Sequence, residues 1–254
     1  MAWFKRSSRF TLVIATLGVA FTLQFVGNVP AQVQAQSKPA SFSSQGFNQS
    51  KSSFRPPRDI KAPVNTQGGA TRGPCVKEGA LVALVPPSGG ETVAESPTVY
   101  WYMPQISADN AAAPALQFVL KDAKDQEVYS AKYPLMKSVN GVVGTPGVMS
   151  LTVSNLYPLE IGQDYQWELT LMCNSVDSDR SEDNVVQGGL KRVKPDPFIA
   201  LRAQRATPEE RVAIYADARL WYEALNTLVQ LQRERPNDAT LAVTWDKLLT
   251  SAGL

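Results

Sequence analysis

The sequence predicts a mainly β protein with α: a β-sandwich followed by a C-terminal helical hairpin and a capping helix. Between residues 75 and 194, short runs rich in Val, Leu, Tyr and Trp are separated by Pro, Gly, Asn and Asp. Runs of this length and spacing suit two packed antiparallel sheets. From residue 195 onward the apolar residues recur with helical rather than alternating period. Cys75 and Cys173, the chain's two cysteines, lie at the start and near the end of the β-rich region.

The chain opens with Lys5, Arg6 and Arg9, followed by an uncharged apolar stretch over 10–26. Asn28 and Pro30 then break the helix, and Val33-Gln34-Ala35 supplies small residues before Gln36. This is the anatomy of a secretory signal peptide, residues 1–35, cleaved after Ala35. The competing reading is a retained membrane anchor, because roughly 17 apolar residues lie at the lower limit for spanning a bilayer. The expected location is the periplasm, the outer-membrane surface or outside the cell, with membrane contact only through this segment if it is uncleaved. Cleavage removes three of the 25 Lys and Arg, leaving 22 against 23 Asp and Glu. So even a balance offers no electrostatic footprint for nucleic acid.

Residues 36–74 are dominated by Ser, Gln, Asn, Pro and Gly and read as a disordered linker, too poor in apolar surface to offset its conformational entropy. Phe42, Phe47 and Phe54, the last beside Arg55 and Arg58, read as stray aromatics in that linker. Docking to a partner is the alternative for them.

In the β-sandwich domain, residues 75–194, the predicted strands are 80–85, 98–103, 116–121, 127–133, 148–153, 164–173 and 185–193. The sixth is the most informative. Tyr165, Trp167, Leu169, Leu171 and Cys173 fall on one face and Gln166, Glu168 and Thr170 on the other, which turns Cys173 toward the core. Leu156-Tyr157-Pro158-Leu159-Glu160-Ile161-Gly162-Gln163-Asp164-Tyr165-Gln166-Trp167 resembles the corner before the F strand of immunoglobulin and fibronectin type III domains. The resemblance implies that the Tyr165 hydroxyl bonds back to the corner's backbone and that Trp101 is the buried tryptophan between the cysteines. The cysteine spacing exceeds that of antibody domains, so the expectation is an immunoglobulin/fibronectin-III-like sandwich with non-standard disulfide placement.

Pro195 and Pro197 are expected to stop strand and helix alike, opening a C-terminal α-helical region over 195–254. Thr207-Pro208-Glu209-Glu210 is a helix start with Thr at N-cap, Pro at N1 and Glu at N3. A second helix over about 221–233 presents Ala224, Leu225, Leu228 and Leu231, and a third over about 239–250 presents Leu241, Trp245, Leu248 and Leu249. Tyr215, Ala224 and Pro236 stand at the separations of a tetratricopeptide repeat, and Trp221-Tyr222-Glu223-Ala224-Leu225 is similar to its second-helix opening. The early Trp of that repeat is absent and Val212 replaces its first small residue. A single tetratricopeptide-like unit, closed by a capping helix, is therefore expected.

The chain contains no histidine. That removes the commonest general base, the Ser-His and Cys-His pairs and every His-containing zinc site. In an oxidising compartment the lone cysteine pair reads as a disulfide, worth roughly 4–5 kcal/mol for a loop of about 100 residues in the chain-entropy model. Asp177-Ser178-Asp179-Arg180-Ser181-Glu182-Asp183-Asn184 offers clustered oxygens for Ca²⁺ but lacks the EF-hand glycine and distal glutamate, and reads as a solvated hairpin loop. Glu95, Asp109, Glu160 and Asp164 sit in predicted turns, with nothing to pair them as acid and base. The glycine-rich stretch 140–147 lacks the Lys-Ser/Thr of a phosphate loop and reads as an inter-strand loop. No catalytic residue, cofactor or metal is predicted. Tyr100 and Tyr102 remain: alternation with Trp101 and Met103 puts both on one face, either as a recognition surface or beneath the C-terminal helices.

The segments Gly68-Gly69-Ala70-Thr71-Arg72-Gly73-Pro74-Cys75, Thr98-Val99-Tyr100-Trp101-Tyr102-Met103-Pro104, Arg192-Val193-Lys194-Pro195-Asp196-Pro197 and Thr207-Pro208-Glu209-Glu210-Arg211 carry a further resemblance. With Tyr165-Gln166-Trp167 and Trp221-Tyr222-Glu223-Ala224-Leu225, they resemble exported cyanobacterial proteins of domain-of-unknown-function family 928 (DUF928). The resemblance implies export and this domain layout, and no mechanism. The expected function is that of a non-enzymatic cell-envelope protein, an interaction or structural module. The alternative is a carbohydrate-binding protein or polysaccharide-acting enzyme of the envelope. The expected partner is an unknown envelope protein or polysaccharide.

Overall fold

The computed structural model describes residues 53–57, 60, 66, 75–107, 113–136, 142–143, 146–176 and 180–254. The signal segment 1–35 and Phe42 and Phe47 lie outside the described residues. The described chain is mainly β with α, three sheets and four helices.

Alternating and apolar runs become strands. These are β1 (Val76–Glu78), β2 (Val82–Ala83), β3 (Gly90–Thr92), β4 (Thr98–Met103), β5 (Gln105–Ser107), β6 (Ala115–Asp122), β7 (Glu127–Pro134), β8 (Val142–Val143), β9 (Gly147–Thr152), β10 (Asp164–Met172) and β11 (Asn184–Arg192). The largest sheet has the order β3-β11-β10-β6-β7, all antiparallel except β3 on β11. Two three-stranded sheets run β2-β4-β9 and β1-β5-β8. Each of the seven sequence-predicted strands is present. The additional strands are two or three residues long, too short to show a period. One of them, β8, pairs with β5 inside the stretch 140–147 expected to be a loop.

The period-two pattern of β10 sets the core. Trp167, Leu169, Leu171 and Cys173 are buried, and Leu120, Phe118 and Leu116 of β6 stand opposite the first three in register. Val99, Trp101 and Met103 of β4 join the same buried cluster, so two sheets contribute to one core. The corner before β10 closes on Tyr165, whose hydroxyl accepts the Glu160 backbone N–H at 2.9 Å.

Four helices follow: α1 (Pro197–Arg205), α2 (Pro208–Asp217), α3 (Trp221–Glu234) and α4 (Ala239–Ala252). The capping box at α2 forms in full: Thr207 accepts the Glu210 N–H, and the Glu210 carboxylate accepts the Thr207 N–H. Pro197, expected to stop a helix, instead begins α1. Asp196 is its N-cap, accepting from the N–H groups of Phe198 and Ile199, and Pro at N1 lacks only a donor that the first turn leaves unpaired. Helices and strands share the buried cluster.

Part of the stretch expected to be a disordered linker belongs to this core. Phe54 is buried, its ring edge-on to Trp221 at 4.8 Å between centroids, and its N–H donates to Ser251 Oγ on α4 at 3.0 Å. Ile60 is buried as well, and the Thr66 carbonyl accepts the Ala83 N–H at 2.9 Å. Phe54 is thus no stray aromatic: the apolar surface it covers is supplied by Trp221, far away in the chain.

Candidate functional site

Alternation along β4 puts Tyr100 and Tyr102 on one side of the strand, but the two differ in environment. Tyr100 is 2 % exposed and Tyr102 40 % exposed. Helix α3 accounts for the difference: the Tyr100 hydroxyl donates to Asn226 Oδ1 at 2.6 Å. Burial raises the Tyr100 pKa, opposed by the Arg233 guanidinium. The two readings thus divide between the two residues: Tyr100 lies beneath a C-terminal helix as a docking residue, and Tyr102 alone of the pair is exposed. Trp101 and Met103 are buried, as the alternation requires.

Three consecutive residues at the start of α3 fasten the helix to the strands. Trp221 Nε1 donates to the Leu84 carbonyl at 3.0 Å, and the Trp221 side chain occupies the space a Cβ on Gly90 would need, 2.8 Å from its own Cβ. The Tyr222 hydroxyl accepts from Trp167 Nε1 and donates to the Gly189 carbonyl. Glu223 Oε1 accepts from Thr92 Oγ1 at 2.7 Å and from the Val93 and Ala94 N–H groups at 2.9 and 3.3 Å. Its Oε2 is buried without a hydrogen-bond partner among the described residues. Desolvation raises the Glu223 pKa, and the hydrogen bonds from Thr92 and the Val93 backbone oppose that rise.

The exposed aromatic surface lies elsewhere, on the edge strand β7. Tyr129 and Tyr133 are four residues apart, on the same face of the strand. The neighbouring Tyr129 hydroxyl raises the Tyr133 pKa to about 12, with burial adding to the effect. Tyr157, from the corner before β10, places its ring 5.4 Å from that of Tyr129. Tyr133 and Tyr157 are exposed, while Tyr129 leans on buried Phe118 at 6.1 Å, and Phe118 stacks on Trp167 at 6.3 Å. The result is an aromatic row from the core to the surface that ends in phenol faces and hydroxyls, groups that stack on rings and donate hydrogen bonds. Sequence reasoning missed this cluster. The shared parity of Tyr129 and Tyr133 was a usable signal, whereas the approach of Tyr157 is a long-range contact.

The remaining candidates are accounted for individually. Cys75 and Cys173 form the disulfide, with Cα atoms 5.6 Å apart. Glu95 lies 3.6 Å from Arg192, and Asp164 lies 3.7 Å from Lys191. Asp109 and residues 177–179 of the acidic run lie outside the described residues, while Arg180 pairs with Asp183 at 3.8 Å. Among the described residues, no group of three or more His, Cys, Asp or Glu is arranged to hold a metal ion. No described helix is long and apolar enough to cross a membrane.

The model of the family described as Domain of Unknown Function (DUF928) matches residues 67–254, and the chain belongs to that family. No curated protein matches the chain. Among solved structures, the Parabacteroides merdae β-glucuronidase is similar at 11 % identity and a TM-score of 0.22, over 45 % of this chain and 13 % of the enzyme. The same enzyme with glycerol in its active site is similar at 11 % identity and a TM-score of 0.22, over 43 % and 13 %. The chain thus spans about an eighth of the length of these enzymes.

Proposed function

We propose that this DUF928 member is an exported cyanobacterial cell-envelope protein that works without catalysis, as a protein-interaction or structural module. The observation that carries the reading is the Tyr129–Tyr133–Tyr157 cluster. Exposed tyrosines held by a rigid strand and an anchored corner offer contact area at low entropic cost, as recognition surfaces do. Export is supported by the signal-like residues 1–35 and by the Cys75–Cys173 disulfide, which suits an oxidising compartment. In this reading the sheets are an immunoglobulin/fibronectin-III-like sandwich, supported by the Tyr165 corner bond. Helices α2 and α3 are a single tetratricopeptide-like hairpin capped by α4, supported by their mutual packing.

The test is crosslinking capture from envelope fractions with the mature chain as bait, beside a Tyr133→Ala/Tyr157→Ala variant of equal stability. A partner held by the wild type and lost by the variant is expected. Identical capture profiles would remove the tyrosine cluster as the interaction surface. The same cluster favours a second reading, carbohydrate binding, because phenol faces stack on sugar rings. Sedimentation with peptidoglycan and envelope polysaccharide distinguishes the two, and flat binding curves would eliminate the second.

A further inference from the structure

Helix α1 carries a surface that the reading above does not use. Its nine residues, Pro197–Arg205, are capped by Asp196, and it packs on α2 with Ala203 buried. Phe198, Leu201, Arg202 and Arg205 stand at i, i+3, i+4 and i+7, a stripe on one side of the helix. All four are exposed, Phe198 at 79 %. The helix contains no carboxylate. Neither arginine enters an ion pair among the described residues. The neighbouring acids are committed elsewhere: Asp196 to the helix cap, Glu210 to the capping box and Glu209 to Arg235.

An exposed aromatic and leucine flanked by unpaired arginines offer both contributions to interfacial lipid binding, apolar area for the headgroup boundary and cations for anionic lipid. We propose that α1 docks this protein on an anionic lipid surface, with Phe198 and Leu201 entering the headgroup region and Arg202 and Arg205 binding lipid phosphates. Charge complementarity selects this occupant over a second copy, since two such helices face to face would bring four arginines together. Size argues against a protein partner: a helix about 14 Å long falls far short of the roughly 800 Å² per side that a stable protein interface buries. A lipid surface needs no matching shape, and guanidinium binds phosphate through two parallel hydrogen bonds.

The test uses the full chain with Phe198→Cys carrying an environment-sensitive fluorophore, mixed with vesicles of phosphatidylcholine alone or of phosphatidylcholine with phosphatidylglycerol. A local probe is required because the apolar residues 10–26 can bring the chain to either vesicle. A blue shift is expected with the phosphatidylglycerol vesicles only. The lipid needed for half the shift should rise by about 25-fold or more in Arg202→Glu/Arg205→Glu, at roughly five-fold per lost cation, and should rise with salt. A label at Leu201→Cys, which keeps Phe198, should give the same result, with circular dichroism showing each variant folded. No shift on anionic vesicles, an equal shift on both, or a shift indifferent to charge reversal would overturn the proposal. So would a shift that grows with protein concentration in the absence of lipid, which would assign the stripe to a second copy.

Discussion

Tyr222 and Trp167 share one hydroxyl: the Trp167 indole N–H donates to it at 3.1 Å, and it donates onward to the Gly189 carbonyl at 2.9 Å. The bonds join α3 to β10 and β11 inside the core. Burial pushes the Tyr222 phenol pKa well above its ordinary value, which keeps the donated proton in place. Tyr222→Phe leaves the Trp167 indole N–H buried without its partner and takes one donor from the Gly189 carbonyl. The expected loss is about 2 kcal/mol in urea unfolding, with an unchanged m-value. Gly188→Ala should cost more, about 3 kcal/mol, because a Cβ there would lie 2.2 Å from Trp167 Cε2, and the ring is held on its other sides. A Gly188→Ala protein as stable as the wild type would show that the indole can move.

The disulfide closes a loop of 98 residues and ties the residue before β1 to the end of β10. Cys75→Ser/Cys173→Ser should lower unfolding stability by about 2–5 kcal/mol, measured by denaturant titration against the oxidised wild type. Reducing agent should lower the wild type to the same level and leave the variant unchanged.

Phe54 lies outside the family-matched residues 67–254 yet is part of the core, against Trp221. Phe54→Ala should cost about 3–5 kcal/mol and change the Trp fluorescence of the folded state. Residues 67–254 alone should be less stable than the longer chain by at least as much. Equal stability would mean that the Phe54 contact contributes nothing in solution.

Glu223 makes folding depend on pH in a definite direction. Its pKa is raised above the ordinary 4.5 in the folded protein, so the folded state holds the proton more tightly than the unfolded chain. Its contribution is complete below pH 4.5 and is lost as pH rises through the folded-state value. Glu223→Gln keeps an oxygen for Thr92, Val93 and Ala94 and cannot ionise. The stability of the wild type relative to this variant should therefore fall as pH rises above about 4.5 and then level off. Thermal melts from pH 4 to 8, roughly the range where carboxylates titrate, would show it. A constant difference would mean that the hydrogen bonds fully offset the desolvation.

Local chemistry was legible. The alternation of β10, the capping box at Thr207 and the cysteine pair each depend on side chains within a few positions or on residue type, and the folded protein shows all three. Even the error at Pro197 was local. The same proline that ends a strand is well placed at N1 once Asp196 caps the turn.

Residue pattern therefore determined the seven predicted strands and helices α2, α3 and α4, where α2 begins and which face of β10 is buried, because hydrogen-bonding period and capping act over one turn or one pleat. Tertiary structure alone decided that Tyr100 lies under α3, that Phe54 belongs to the core and that Tyr157 meets Tyr129. The first two contacts join residues 126 and 197 positions apart along the chain. Whether a side chain is covered depends on the surface that arrives from elsewhere, and no period in the surrounding residues encodes that arrival.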